Sequence, residues 1–184
     1  RRVIEGMFDI QKRHAVSLGI EWNDAKAQKT AKEAYDRLFN LKWTPPGRGL
    51  WMMGTDFAYT RGSAALNNCS ATDTKYVLVH SAEWTMDCLM NGVGVGFSTD
   101  WKGDVIMPDK KNTEVFVIPD SREGWVESLI KLMCSYIDSP KYGKNKFPEF
   151  DYSSIREAGA PIKGFGGTSS GPAPLKKMHE SKES

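Results

Sequence analysis

The sequence predicts a mixed α/β fold. Stretches with apolar residues at helical spacing alternate with short runs of β-branched, aromatic and glycine residues. The chain has 184 residues, of which 40% are hydrophobic, so it is long enough to bury a sizeable core. No internal repeat and no linker divides it, which favours a continuous α/β arrangement over a string of small modules.

Residues 1–62 are expected to form a helical N-terminal region. Residues 1–18 carry apolar side chains at helical spacing, and Gly19 is expected to end that helix. Ala25–Leu41 predicts a second, amphipathic helix, which Pro45 and Pro46 end. The inward residues of this second helix are expected to be Ala27, Ala31, Ala34, Tyr35, Leu38 and Phe39. The remainder, 42–62, is expected to be rich in loops, with Trp51, Met52 and Met53 packed in the core.

Strands and helices alternate in residues 63–184. The predicted strands are Ala64–Cys69, a buried strand Val93–Phe97, and Val115–Ile118. The predicted helices are Ala82–Asn91, Arg122–Ile137 and a last one beginning at Pro174. Two stretches stay open between alternatives: Lys75–Val79 is strand or loop, and Phe150–Ile155 is strand or turn. Ser139–Phe147 is expected to be a basic loop, Ala160–Gly164 a strand end, and 165–174 a glycine-rich loop.

Composition excludes several functional classes. The 25 basic and 23 acidic residues give a net charge of only +2, too balanced for nucleic-acid or membrane binding by bulk charge. No apolar run is long enough to cross a bilayer. Three cysteines without a CxxC pair indicate a reduced, cytoplasmic protein. The histidines are isolated, so no metal site is expected at His14, His80 or His179. The abrupt patterns at both ends lead us to expect a fragment.

Cys69 is the candidate reactive residue. Its neighbours Asn67, Asn68 and Ser70 are hydrogen-bonding groups, whereas Cys88 and Cys134 lie on apolar helix faces and are assigned to the core. From these residues alone, a redox thiol and a packed thiol are equally supported at Cys69. Asn68 is interpreted either as a donor to a ligand hydroxyl or phosphate, or as a turn cap.

Two glycine-rich segments are candidate ligand contacts. Gly92, Gly94 and Gly96 match neither the dinucleotide fingerprint nor a P-loop, so a tightly packed strand is favoured over a ligand approach. The segment Gly166–Gly171 is a stronger signal, because consecutive small residues with hydroxyls expose backbone N–H groups to an anion. Lys163 adds positive charge beside it, and a flexible linker is the alternative.

Six motifs in one order resemble a known enzyme family. They resemble the monomeric, adenosylcobalamin-dependent (class II) ribonucleoside-triphosphate reductases, and the resemblance runs through essentially the whole chain. The motifs are Gln28–Lys29, Trp43–Thr55, Leu66–Cys69, Asn91–Phe97, Val117–Trp125 and Gly164–Pro172.

The resemblance implies a fold and a site. It implies that 63–184 is the first part of a ten-stranded α/β barrel, with an effector-binding insertion beginning at about 98–152 and a specificity loop at 164–172. Cys69 would be one of two cysteines that reduce the ribose. The second cysteine would lie outside this sequence, because Cys88 and Cys134 do not match the family's motif. The implied substrate-binding residues are Asn68, Gly92, Gly94 and Gly96. The implied effector and specificity residues are Lys163, Gly166, Gly167, Thr168 and Ser169.

The resemblance also implies partners. These are a ribonucleoside triphosphate substrate, a deoxynucleotide effector, adenosylcobalamin bound mainly by parts outside this chain, a dithiol reductant such as thioredoxin, and the C-terminal remainder of the reductase. Since 184 residues cannot close a ten-stranded barrel, the chain is expected to be inactive alone. The competing hypothesis is a non-catalytic nucleotide-binding module or reductase remnant, which would have no need of the Cys69 thiol.

Overall fold

The computed structural model describes residues 1–162 and 167–181. It divides into two compact units, Arg1–Asn68 and Cys69–Ser184, which are described separately. The first unit is helical and the second combines helices with parallel strands, so the mixed α/β class is confirmed.

The first unit consists of helices. Their bounds are α1 Arg2–Ser17, α2 Asp24–Phe39, α3 Gly47–Met52, α4 Asp56–Arg61 and a 3-10 helix at Gly62–Leu66. The side chain of Asn23 caps α2 by accepting a hydrogen bond from the Lys26 N–H at 2.9 Å. The two long helices were predicted, whereas the stretch expected to be loop-rich contains two short helices.

A close backbone approach fixes α1 against the segment that follows α3. A Cβ at Gly6 would lie 2.4 Å from the backbone nitrogen of Gly54, so both positions require glycine. The Arg2 guanidinium donates to the carbonyl oxygen of Leu50 at 2.6 Å and to that of Met53. The buried apolar residues of this unit are Val3, Ile4, Met52, Ala58 and Ala65.

Three expectations for the first unit are wrong. Tyr35 and Phe39 stack on each other outside the core, with Phe39 72% exposed, although Ala27, Ala31, Ala34 and Leu38 are half-buried as a stripe. Trp51 is 55% exposed, so it is not a core residue. The strand expected at Ala64–Cys69 is a 3-10 helix up to Leu66, because its alanines offer little of the β-branched surface that strands pack. The strand itself begins at Cys69.

The second unit contains two β-α-β units and a last helix. The first is β1 Cys69–Thr72, α5 Leu78–Met90 and β2 Gly94–Phe97, and the second is β3 Thr113–Val117, α6 Arg122–Tyr136 and β4 Phe147–Asp151. In each, the helix returns the chain so that the two strands run parallel. The last helix is α7, Ala173–Glu180. Residues 1–162 and 167–181 thus hold four strands in two separate pairs, and they do not by themselves show a ten-stranded barrel.

Two element boundaries differ from the predicted ones. Helix α5 begins at Leu78, so Lys75–Val79 supplies a turn and the first helical residues. Side chains build this turn, because the Ser81 hydroxyl donates to the Asp73 carbonyl oxygen at 2.6 Å and the Thr74 hydroxyl donates to that of Ser98 at 2.8 Å. Strand β4 begins at Phe147, which is the last residue of the stretch Ser139–Phe147 that was expected to be a basic loop.

The core cluster of residues 69–184 lies against the β3-α6-β4 unit. Ile118, Ile155 and Leu175 are buried together, and half-buried residues pack around them. Ser121 caps α6 by accepting from the Gly124 N–H at 3.0 Å. A Cβ at Gly124 would lie 2.6 Å from the Pro119 carbonyl oxygen, so this helix starts directly against the chain that leaves β3.

His179 attaches α7 to this core. It is 1% exposed, its ring stacks on Phe150 at 4.1 Å, its Nε2 lies 3.0 Å from the Ser128 Oγ, and its Nδ1 lies 2.8 Å from the Tyr152 hydroxyl. Because the Ser128 hydroxyl donates to the Trp125 carbonyl oxygen, Ser128 accepts from Nε2–H and Nδ1 accepts from Tyr152. Burial lowers the pKa of His179 to about 4. His179 is thus a core histidine with both ring nitrogens hydrogen-bonded.

Candidate functional site

Cys69 lies on a strand face that carries almost no other side chain. In the parallel register, Cys69 pairs with Gly94 and Ala71 pairs with Gly96. Since alternate residues of a strand point to the same side, these four positions share one face of the β1–β2 pair. All four are exposed. The thiol therefore projects from a surface whose remaining side chains are one methyl group and two hydrogens.

Gly96 on this face leaves open space. A Cβ at Gly96 would meet no atom closer than the Ser70 carbonyl oxygen at 4.0 Å. The expectation of a buried, tightly packed strand is therefore wrong, since Gly94 and Gly96 are exposed and Phe97 is 62% exposed. Close packing within the described part of the chain does not account for Gly96. The open face has room for a ligand or for further polypeptide.

Gly92 has a structural role of its own. It has a φ of +76° and directly follows the last residues of α5. Its N–H donates to the Leu89 carbonyl oxygen at 2.8 Å, and the Val93 N–H donates to that of Cys88 at 3.0 Å. This is the hydrogen-bond pattern of a Schellman helix end, which requires a left-handed residue. A turn therefore explains Gly92, whereas no such constraint explains Gly96.

The three thiols fall into two kinds. Cys69 is exposed, while Cys88 and Cys134 are buried, as expected. Burial raises the pKa of the Cys88 thiol and that of the Cys134 thiol. A raised pKa and lack of access both reduce thiol reactivity, so the two buried cysteines are structural. Cys69 is the thiol that solvent, or a substrate on the open face, can reach.

Asn68 is exposed at the end of the first unit, after the 3-10 helix whose Ala64 carbonyl oxygen accepts from the Asn67 N–H at 3.2 Å. Among the residues that the structure describes, none forms a hydrogen bond with the Asn68 side chain that would make it a turn cap. Its chain neighbour Cys69 begins β1 in the second unit.

The glycine-rich segment continues a hydrogen-bonded hairpin. Lys163 and Gly166 lie outside the described residues. On either side of them, residues 159–162 pair with 167–169, which we call the hairpin stem. The Ser169 N–H donates to the Ala160 carbonyl oxygen at 2.7 Å, the Ile162 N–H donates to that of Gly167 at 3.0 Å, and Thr168 bridges Pro161. A flexible linker would make no such ladder, so that interpretation is wrong for the stem.

The sequence analysis missed the side chain that attaches the stem. Arg156 lies just before the stem and pairs with Asp120, Nε to Oδ2 at 2.7 Å. Its Nη1 also donates to the Pro161 carbonyl oxygen at 3.3 Å. The two charged residues are far apart in the chain, and only their opposite charge could have suggested the pair.

A cavity of about 390 Å³ lies between the start of α5 and the end of α6, lined in part by Tyr76, Trp101 and Asp138. It has room for a drug-sized ligand. It is too small for a corrin ring with its nucleotide and adenosyl arms, so this cavity does not fit a cobalamin. Within those residues no cluster of His, Cys, Asp and Glu could hold a metal ion, and no helix is both long and apolar enough to span a membrane.

Comparison with protein families identifies the class to which this chain belongs. Residues 77–182 match the model of the insertion domain of B12-dependent ribonucleotide reductase, and residues 1–55 match the ribonucleotide reductase alpha domain. The chain therefore belongs to the B12-dependent ribonucleotide reductase family, and the resemblance drawn from the six motifs is confirmed.

Individual relatives agree with this assignment. The chain is 41% identical to a probable adenosylcobalamin-dependent ribonucleoside-triphosphate reductase of Dictyostelium discoideum, and 42% identical to the reductase of Euglena gracilis, over 97% and 98% of its length. It covers 26% and 25% of those two proteins. A crystal structure of a B12-dependent (class II) ribonucleotide reductase superposes with a TM-score of 0.78 at 26% identity, covering 98% of this chain and 32% of that one. The chain thus spans about a quarter of the length of these curated relatives.

Proposed function

We propose that this chain forms the part of an adenosylcobalamin-dependent ribonucleoside-triphosphate reductase that supplies one redox thiol and the loops around the substrate. The observation that carries the proposal is the exposed Cys69 on the bare face of β1 and β2. Two glycines and one alanine there leave space for a ribose to lie directly beside the sulfur. A protein that only bound a nucleotide would have no need of a thiol at this position.

The proposed reaction uses the thiol as a reductant. Cys69 and a second cysteine outside this chain each give up hydrogen, the 2′-hydroxyl leaves the ribose as water, C2′ gains hydrogen, and the two sulfurs join as a disulfide. The ribonucleotide is reduced by two electrons and the thiol pair is oxidised by two. A dithiol reductant, such as a thioredoxin-like protein, must then reduce the disulfide for another turnover. Adenosylcobalamin would initiate the radical chemistry when bound. No described residue of this chain is given a role in that initiation.

The remaining segments have proposed roles in recognition. Asn68, Gly94 and Gly96 would contact substrate, with Gly92 shaping the turn that precedes them. The segment 164–172, with Lys163, Gly166, Gly167, Thr168 and Ser169, would connect a deoxynucleotide effector to the substrate base. Residues 1–62 would form the helical N-terminal region, and 63–184 the first part of the ten-stranded barrel, with the effector insertion beginning at about 98–152. The free thiols suit a cytoplasmic enzyme of deoxyribonucleotide synthesis.

The test uses a chimaera in which these 184 residues replace the matched quarter of the Euglena gracilis relative. Deoxynucleotide formation is measured from a ribonucleoside triphosphate with adenosylcobalamin and a dithiol. We expect multiple turnovers from the chimaera and none from this chain alone. Cys69→Ser should lower multiple-turnover activity by about a thousand-fold or more, because it removes a reacting group. Nucleotide binding should survive the substitution.

The matched control is Cys88→Ala, which removes a thiol that the structure places in the core. It should lower stability and leave the turnover of the folded enzyme in place. Equal activity in the Cys69→Ser variant and the unmutated chimaera would contradict the proposal. An inactive chimaera that still binds nucleotide would favour the non-catalytic nucleotide-binding module.

A further inference from the structure

We propose that Arg156 is a positioning residue that fixes the direction of the hairpin stem, through Asp120, and thereby influences which ribonucleotide the enzyme reduces. The inference deepens the proposed function, because it rests on the hairpin's role in substrate choice. It concerns only described residues: the stem 159–162 and 167–169, and the side chains that attach it.

Asp120 is a rigid attachment point. It lies between the buried Ile118 at the end of β3 and Ser121, which caps α6. The Ser121 N–H donates to the Pro119 carbonyl oxygen at 2.8 Å, so the backbone on both sides of Asp120 is held. Position and orientation of this carboxylate are therefore set by the core and by the start of a helix.

Arg156 connects Asp120 to the hairpin stem. It follows Ile155, which is buried in the same core cluster as Ile118. Its Nε donates to Asp120 at 2.7 Å and its Nη1 donates to the Pro161 carbonyl oxygen at 3.3 Å. The planar guanidinium thus bonds a fixed carboxylate on one side and the stem backbone on the other, a geometry that lysine cannot reproduce.

The second strand of the stem has its own attachment. The Gly171 backbone, with a φ of +70°, passes so close to Ala158 that a Cβ there would lie 3.0 Å from the Ala158 nitrogen. Helix α7 follows and is held by the buried Leu175 and His179. The second strand of the stem, 167–169, is therefore held by the core. The side-chain attachment of the first strand, 159–162, is a half-exposed ion pair. Arg156 is therefore the adjustable attachment of the hairpin.

Two hypotheses for the Arg156–Asp120 pair predict different results: that it only adds stability, and that it positions the stem. A partly exposed pair that only adds stability contributes little, and its loss should leave the stem and the substrate preference unchanged. A positioning residue must change the local opening of the stem and the relative rates with different substrates, while the fold persists.

The first measurement is amide hydrogen exchange of this chain. Arg156→Ala should speed exchange of the Gly159, Ile162 and Ser169 amides by about five- to ten-fold, the scale of one charge-assisted hydrogen bond. Arg156→Lys should give an intermediate effect, because it keeps the charge and loses the fork. Arg122→Ala is the matched control, since Arg122 pairs with Asp87 at 3.1 Å from the same end of α6 and forms no ion pair or hydrogen bond with the described residues of the stem. It should leave the three amides unchanged.

The second measurement uses the chimaera with one deoxynucleotide effector and compares kcat/KM for two ribonucleoside triphosphates. Arg156→Ala should change their ratio by about three-fold or more, and Arg122→Ala should not. Asp120→Asn, which changes charge but little volume, should reproduce the effect if Arg156→Ala folds poorly.

Unchanged stem exchange in both Arg156→Ala and Asp120→Asn would overturn the inference. If the stem amides exchange faster but the ratio of kcat/KM for the two ribonucleoside triphosphates is unchanged, the link to substrate choice is wrong. An inactive chimaera with no substitution would instead count against the proposed function, and exchange alone would then decide whether Arg156 fixes the stem.

Discussion

The two β-α-β units of the second half of the chain share a topology and differ in what covers their strands. In β3-α6-β4, Phe116 and Phe150 pack with Ile118 beneath a helix whose own residues are largely buried. In β1-α5-β2, one face of the strand pair holds only Cys69, Ala71 and two glycines, and all of it is exposed. Both units leave one strand face exposed, but in β3 that face carries Thr113, Val115 and Val117, whereas the face of β1 and β2 that holds Cys69 carries almost no other side chain.

Under the proposed function, this difference separates the surface that would bind substrate from the part of the chain that holds the core. Glycines in a strand contribute little packing energy, and their backbone loses more conformational entropy on folding than that of other residues. The β1-α5-β2 unit tolerates that cost at Gly94 and Gly96, although neither needs a left-handed backbone. The β3-α6-β4 unit packs against the buried core cluster. Under the proposed function, the β1-α5-β2 unit would take part in the reaction and the β3-α6-β4 unit would contribute stability.

The largest expected effect tests the packed unit. Ile118→Ala should lower the free energy of unfolding by about 3–4 kcal/mol, because Ile118 is fully buried in the core. Val95→Ala on the half-buried side of β2 should cost about 1 kcal/mol or less. Denaturant unfolding of this chain, compared at equal m-value, measures both. Similar costs at the two positions would remove the distinction between the units.

The second effect is a pH dependence of the packed unit β3-α6-β4 and the helix α7 that packs on it, and it arises from His179. Burial lowers the pKa of His179 from its ordinary value of 6.5 to about 4, so the unfolded chain binds its proton first as pH falls. The stability contributed by neutral His179 is complete above about pH 6.5 and is lost as pH falls towards 4. A shift of this size corresponds to about 3 kcal/mol.

Unfolding of the unmutated chain and of His179→Gln should be compared between pH 7 and 4. The difference in stability between them should shrink as pH falls. His14→Gln, at an exposed position on α1, is the control and should leave the acid dependence in place. A stability difference that is constant across this range would show that His179 does not titrate as its burial requires.

The smallest effect on stability is expected at the open face. Gly96→Val should change the unfolding free energy of this chain by less than about 0.5 kcal/mol, since nothing lies within 4 Å except the Ser70 carbonyl oxygen and valine suits a strand. In the chimaera it should raise KM for the ribonucleotide about ten-fold or more, because its methyl groups fill the space beside Cys69. An unchanged KM would show that substrate does not use this face.

The matched control for Gly96→Val is Gly124→Ala in the packed unit. Its Cβ would lie 2.6 Å from the Pro119 carbonyl oxygen, so it should destabilise the chain. The opposite pattern, with Gly96 the costly position for folding, would contradict the division between the two units.

Local signals explain which elements could be predicted. The helices α1, α2 and α6 have clear apolar periodicity, and the caps at Asn23 and Ser121 follow from their side-chain oxygens. The strand expected to begin at Ala64 failed because a run of alanines does not distinguish a helical turn from a strand. Phe39 and Trp51 were placed in the core because an apolar residue does not itself reveal whether a partner covers it.

The sequence by itself determined the class, the family motifs, the candidate thiol and the two buried cysteines, because each depends on residue types and short spacings. Only the tertiary structure decided that Gly94 lies opposite Cys69, that residues 159–162 pair with 167–169, and that Arg156 reaches Asp120. These are contacts between residues that are distant along the chain. Strand register and long-range ion pairs leave no periodic trace in the sequence, because their geometry is set by how whole elements pack.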